Sequence, residues 1–150
     1  MTKTIAFWVP GIPRPGGSKR AFYNPRLGRA MIVDACSKNK EWRAAVAWAA
    51  KEVFSGTPLR CPLRVSFKFE FTRPASHFGK GKNSGYVRDS APSYKTTKPD
   101  VTKLVRSTED ALTGILWVDD SQIVNQTAWK RYGDRNGCQI EVEYEEANSC

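Results

Sequence analysis

The sequence is short of the residues that build metal clusters, redox pairs and membrane spans. One histidine, His77, occurs in 150 residues. The four cysteines, Cys36, Cys61, Cys138 and Cys150, are widely separated and form no CxxC pair. Structural zinc needs thiolate and imidazole ligands clustered at short spacing, so a zinc fold is not expected. Reduced, mostly packed thiols are expected instead. No run of about 18 apolar residues exists, which excludes a spanning helix. Met1-Thr2-Lys3-Thr4 leads straight into a short apolar run, without the h-region and cleavage site of a signal peptide. A cytoplasmic location is the resulting expectation. The phosphate-binding pattern GxxxxGK[ST] is absent.

What is present is globular: 40% hydrophobic residues, 26% charged, and five tryptophans available for a core. The length is that of one domain, expected over residues 1–150. The net charge is +9, and it is unevenly placed. All 24 Lys and Arg precede Cys138, together with 11 of the 15 acidic residues, a balance of +13. That balance points to a polyanionic partner, nucleic acid first. A basic surface serving solubility gives the same count.

Along the chain, Thr4–Val9 reads as a strand ended by Pro10. Gly11–Arg20 is a loop of Gly, Pro, Lys and Arg whose glycines permit close backbone approach to a phosphate. Ala21–Pro25 and Arg29–Val33 bracket a turn. Asp34–Phe54 has helical spacing, with Asp34 or Ser37 as its cap, and reads as scaffold. Pro62–Phe71 alternates strictly, with Leu63, Val65, Phe67, Phe69 and Phe71 inward. Arg73–Lys98 is a long basic loop with Phe78, Tyr86 and Tyr94 interleaved, which suits flexible nucleic acid or serves as a mobile tether. Gln122–Tyr132 and Cys138–Glu145 form a hairpin across Gly133–Gly137, and the tail from Glu146 is expected to fray. The order of elements predicts an α/β (α+β) domain with a mixed β-sheet of about four strands against two main helices.

The stretch from Lys98 to Asp120 organises the rest. Asp100 stands at an N-cap position and Gly114 at a C-cap position. Between them Val101, Leu104, Val105, Thr108, Ala111, Leu112 and Ile115 recur at helical spacing, while Lys103, Arg106 and Asp110 take the other face. Asp119-Asp120 follows the helix. If that turn lies near the helix N-terminus, Asp100 and one of the pair can share a magnesium ion, which wants hard oxygen ligands. A cap and an ordinary turn explain the same residues.

Lys98-Pro99-Asp100, Leu104, Asp110-Ala111-Leu112 and Trp117-Val118-Asp119-Asp120-Ser121-Gln122-Ile123 together resemble the signature of the RusA family of Holliday junction resolvases. The opening strand, the Gly11–Arg20 loop and the helix carrying Trp42 are similar too. The resemblance implies a homodimer that cuts four-way or branched DNA in paired fashion with Mg2+, for which Mn2+ can substitute. It implies aspartates around the metal and a lysine nearby. Carried over, these are Asp100 and the pair Asp119 and Asp120, most of all Asp120, with Arg106 at the lysine position. DNA contacts are expected from Arg14, Lys19 and Arg20, from Lys80, Lys82, Arg88, Lys95 and Lys98 of the long loop, and from Lys103.

One position departs from the pattern. The family's second aspartate is Thr102 here, and the asparagine after it is Lys103. A hydroxyl is a weaker magnesium ligand than a carboxylate. Glu109, Asp110 or Glu70 can substitute, or Thr102 can act through a bound water. Asp110 lies about 15 Å along the helix from Asp100, a poor direct partner. The alternative function is a junction-binding protein with weak or no nuclease activity, and a weaker one is an RNA-directed nuclease.

Overall fold

The computed structural model describes residues 1–17, 19–34 and 38–146. Six strands and two helices follow in the order β1 (Thr2–Pro10), β2 (Lys19–Asn24), β3 (Arg29–Asp34), α1 (Asn39–Val53), β4 (Leu63–Thr72), α2 (Val101–Leu112), β5 (Ile123–Gly133) and β6 (Gly137–Glu145). β2 and β3 form a separate antiparallel hairpin. The others make one mixed sheet in the order β1-β6-β4-β5. β6 pairs antiparallel with both β1 and β4, whereas β4 and β5 are parallel. A parallel pair needs a crossover, and α2 supplies it. The expected class, a mixed sheet of four strands with two helices, is the observed one.

β4 alternates as its sequence dictates. Leu63, Val65, Phe67, Phe69 and Phe71 are buried, and the residues between them face the other side of the sheet. β6 contributes Cys138, Ile140 and Val142 to the same face, and β1 contributes Phe7 and Val9. α1 lays Trp42, Val46, Ala49 and Ala50 on it, and α2 lays Leu104, Val105 and Leu112. The helices meet where Trp42 Nε1 donates to the buried Thr108 Oγ1 at 3.1 Å. An indole N–H in a core needs such a partner, and Thr108 provides it.

β5 and β6 do not form the expected hairpin, because β4 lies between them in the sheet. Several boundaries differ from expectation as well. α1 begins at Asn39 with Lys38 at its N-cap position, so Asp34 is not its N-cap residue; the Asp34 side chain and Ser37 lie outside what is described. The Lys19 side chain, Cys36, Cys150 and the tail from residue 147 also lie outside it. Glu146 does not fray, because its N–H donates to Met1 O at 3.1 Å. Cys138 is a buried free thiol, as expected, but Cys61 is disulfide-bonded rather than reduced.

The long loop is held in place rather than a tether. Arg73 donates to Pro92 O at 2.7 Å, and Arg88 Nε donates to Phe78 O at 2.7 Å. Lys95 sits over the rings of Phe71 and Tyr132, 5.2 and 5.6 Å from their centroids. Tyr132 N donates to Ser93 O at 3.2 Å. This last bond covers one end of the outer edge of β5.

Candidate active site

α2 forms because its apolar residues make one stripe toward the sheet while Thr102, Lys103, Arg106 and Asp110 remain exposed. Asp100 occupies its N-cap position, at φ −68° and ψ 138°, yet its side chain makes no cap bond. The expected capping role is therefore unfilled. The carboxylate is 63% exposed and has Lys103 Nζ at 3.8 Å. The segment leading to it is gripped from β5. Lys130 Nζ donates to Thr97 O at 2.6 Å and to Pro99 O at 2.7 Å. Burial, with Lys95 nearby, pulls the Lys130 ammonium below its usual range, and Asp100 acts in the opposite sense.

The other carboxylates gather where α2 ends. Gly114 takes φ +86° just past the C-cap residue Thr113, and its N–H donates to Trp117 O at 2.7 Å. The chain therefore folds back at the helix end and stays there. Gln122 then fixes the turn. Its amide oxygen accepts from Val118 N and Asp119 N, each at 2.9 Å, while its Nε2 donates to Leu59 O at 2.8 Å and Cys61 O at 3.1 Å. Asp119 caps the short turn by accepting from Ser121 N at 2.8 Å. Hydrogen bonds from Ser121 hold the Asp119 carboxyl below its ordinary value. Asp120 points differently. Its Oδ1 accepts from Thr113 Oγ1 at 2.6 Å and from Trp117 Nε1 at 3.0 Å. A buried indole and a helix-end hydroxyl thus set its orientation.

Glu109 is the carboxylate beside Asp120. Burial first, then the charge of Asp120, pushes it up to about 7, against a hydrogen bond from Gln126 Nε2 to Glu109 Oε1 that works the other way. A carboxyl raised in the fold is stabilising below its unfolded value near 4.5 and loses that contribution as pH climbs toward 7. In EDTA, Glu109→Gln is expected to flatten the fall in stability between those values. The gain near pH 8 is about 1 kcal/mol after allowance for solvent screening of a half-exposed group. Urea titrations at pH 5 and pH 8 check this; equal pH dependence in both proteins counts against it.

Asp100 and Asp120 do not meet. Asp120 is bonded to Thr113, and Thr113 lies thirteen residues past Asp100, about 20 Å along a helix axis at 1.5 Å per residue. Carboxylates sharing one magnesium ion sit within about 4 Å of each other, since each oxygen is about 2.1 Å from the metal. The expectation that the Asp119-Asp120 turn lies near the helix N-terminus is overturned, because Gly114 and Gln122 keep the turn at the opposite end. Glu109 is likewise distant from Asp100, so it does not replace the missing carboxylate at Thr102 in one chain. Among the described residues no group of three His, Cys, Asp or Glu side chains is placed to hold an ion. One chain does not fit a three-aspartate metal centre.

The basic residues divide. The Gly11–Gly17 segment crosses α2, with Gly16 N donating to Lys103 O at 2.9 Å and Ser107 Oγ to Arg14 O at 2.5 Å. A Cβ at Gly16 would fall 2.8 Å from Ser107 Cβ. That glycine serves close approach to a helix rather than to a phosphate. The crossing lays the backbone of Arg14 to Gly17 against α2 at Lys103, Arg106 and Ser107. Arg20, Lys80, Lys82 and Lys98 are exposed. Arg88 and Lys95 are drawn into bonds within the long loop.

Glu109 appeared in the sequence only as a possible substitute, and Gln126 and Lys130 went unnoticed. A signal existed. Gln126, Ala128, Lys130 and Tyr132 pair with Val65, Phe67, Phe69 and Phe71, so they share the face that β4 gives to the core. Gln126 and Lys130 are polar at positions where the alternation of a half-buried strand calls for apolar residues.

The model of the endodeoxyribonuclease RusA family matches residues 13–143. The uncharacterized protein YqaN of Bacillus subtilis (strain 168) is 28% identical over 138 residues, 92% of this chain and 94% of that protein. The family match spans most of the domain, and the chain belongs to the RusA endodeoxyribonuclease family.

Proposed function

We propose that this protein is a magnesium-dependent endodeoxyribonuclease that resolves four-way or branched DNA junctions as a homodimer. Asp100 carries the reading. An aspartate at an N-cap position normally caps. This one leaves its carboxylate exposed at the helix entrance, with Lys103 beside it and Lys130 near it. The positive end of the helix and the nearby ammonium groups favour an anion there, either this carboxylate or a DNA phosphate. Arg14, Arg20, Lys80, Lys82, Lys98 and Lys103 form the DNA-contacting set, together with Lys19, Arg88 and Lys95, and Arg106 stands in for the family's lysine. Asp100, Asp119 and Asp120 are the metal-ligand candidates, with Thr102 through a bound water. The test is cleavage of a synthetic four-way junction with Mg2+, set against EDTA and against linear duplex of the same sequence. Paired cuts in the junction alone are expected. Metal-independent cutting, or equal cutting of duplex, overturns the proposal.

A second reading, a junction binder that cuts poorly, is favoured by Thr102. Thr102→Asp separates the two. If a missing carboxylate limits the metal, this change lowers the Mg2+ concentration for half-maximal cutting by about tenfold, or 1.4 kcal/mol. An unchanged requirement means that the position is already served.

A further inference from the structure

Residues 77–88 of the long loop form an ordered finger that presents one tyrosine and two lysines. We propose that this finger clamps an unpaired nucleotide of a branched DNA strand, with Tyr86 stacked on the base and Lys80 and Lys82 on the flanking phosphates. The placement of that nucleotide beside the cut rests on the nuclease reading of Asp100 above; the clamp itself does not.

The finger is built on backbone bonds. Phe78 pairs antiparallel with Val87, and Arg88 N donates to His77 O at 2.8 Å. A short turn at Gly81–Asn83 closes the tip, where Asn83 N donates to Lys80 O and Ser84 N to Gly81 O, each at 3.1 Å. Tyr86 is fixed from both sides. Its N–H donates to Asn83 O and its carbonyl accepts from Gly79 N, each at 3.0 Å. Tyr86 is nevertheless 72% exposed. A lone exposed aromatic is ordinary on a surface. An exposed aromatic on an immobilised backbone is a stacking platform that needs little further ordering when a ligand arrives.

Charge and position identify the ligand. Residues 77–88 hold Lys80, Lys82 and Arg88 and no acidic residue. Lys80 and Lys82 are exposed near the tip, whereas Arg88 Nε is bonded to Phe78 O. Cations beside an aromatic face suit a single strand, which offers phosphates and open base faces together; in a duplex the bases cover one another. The base of the finger is anchored on Tyr132. His77 meets that ring edge-on at 4.8 Å between centroids, Arg73 lies 5.2 Å from it and Lys95 5.6 Å. Lys95 Nζ in turn donates to Thr97 Oγ1 at 2.8 Å, and Lys130 on the same strand holds Thr97 O and Pro99 O. One stretch of β5 thus anchors both the finger and the segment that ends at Asp100. A strand with a phosphate at Asp100 can continue to Tyr86, and branched substrates with an unpaired stretch beside the branch are favoured.

Binding of a fluorescein-labelled oligothymidylate of about 12 nucleotides, followed by anisotropy in EDTA, tests the clamp without cleavage. Tyr86→Ala is expected to weaken this binding about tenfold, and Tyr86→Phe, which keeps the ring, to stay within about twofold of the parent. Binding of linear duplex and the Tm are expected to be unchanged in both, because the side chain is exposed. Lys80→Ala and Lys82→Ala are each expected to reduce the salt slope of oligonucleotide binding by about 0.7, the share of one phosphate contact on a single strand. Parent-like oligonucleotide binding by Tyr86→Ala overturns the clamp, and so does a loss in Tyr86→Phe equal to that in Tyr86→Ala. With Mg2+, the parent is expected to cut a branched substrate with an unpaired arm about tenfold faster than its fully paired counterpart, and Tyr86→Ala to cut the two alike. No such preference in the parent overturns the placement of the clamp beside the cut. A parent that cuts neither substrate, while Tyr86→Ala still loses oligonucleotide binding, overturns the nuclease reading and upholds the clamp.

Discussion

Asp120→Asn is expected to lower Mg2+-dependent junction cleavage about a thousandfold or more and to leave junction binding close to wild type. A thousandfold is about 4 kcal/mol at 1.36 kcal/mol per decade, within what one charged oxygen at a metal centre supplies. The substitution is isosteric, and an asparagine carbonyl can still accept from Thr113 Oγ1 and Trp117 Nε1. The turn therefore persists, and what disappears is the charge. Single-turnover cleavage at saturating enzyme separates chemistry from binding, and a gel shift in EDTA measures binding alone. Equal cutting by both proteins removes Asp120 from the site. Binding that falls with cleavage means the turn has been lost instead.

The largest effect on stability is expected at Trp117. Its side chain is fully buried, and its indole N–H is spent on Asp120. Trp117→Ala empties the space beneath the turn and costs about 3–5 kcal/mol. In a domain of this size that lowers Tm by about 10 °C or more. Trp117→Phe keeps most of the apolar volume and removes only the hydrogen bond, at a cost of about 1 kcal/mol. Thermal unfolding of the two variants separates packing from bonding. If the bond orients Asp120, Trp117→Phe keeps its fold yet loses cleavage well beyond its loss of stability. Cleavage that follows stability alone makes Trp117 a core residue and nothing more.

The elements were legible where local pattern decides them. Leu63 to Phe71 alternates because one face meets the helices, and α2 shows its stripe because one face meets the sheet. Both follow from periodicity. The position of the acidic turn was not legible, because it depends on topology. Only the parallel pairing of β4 with β5 makes α2 a crossover. Only Gly114 and Gln122 keep Asp120 at the helix end, and both act through bonds to distant backbone. Asp100 was placed correctly at the helix entrance, but spacing could not show that its side chain leaves the cap unmade. Whether the long loop contacts nucleic acid or is a mobile tether was not legible, because its composition is polar. Its order comes from Arg73, Arg88 and Lys95, cations that composition assigns to solvent.

The place of β6 has a consequence for how the chain is made. The last strand in sequence is an interior strand of the sheet, inserted between the first, β1, and β4. Before residues 137–145 emerge from the ribosome, β4 has only β5 beside it and β1 has no partner in the sheet. The sheet closes only when residues 137–145 are free to enter it. Folding is then a late, whole-chain event dominated by contacts between the two ends, which places this protein among slow folders for its size. A stop codon before residue 137 does not trim an edge; it removes the strand that joins the two halves of the sheet.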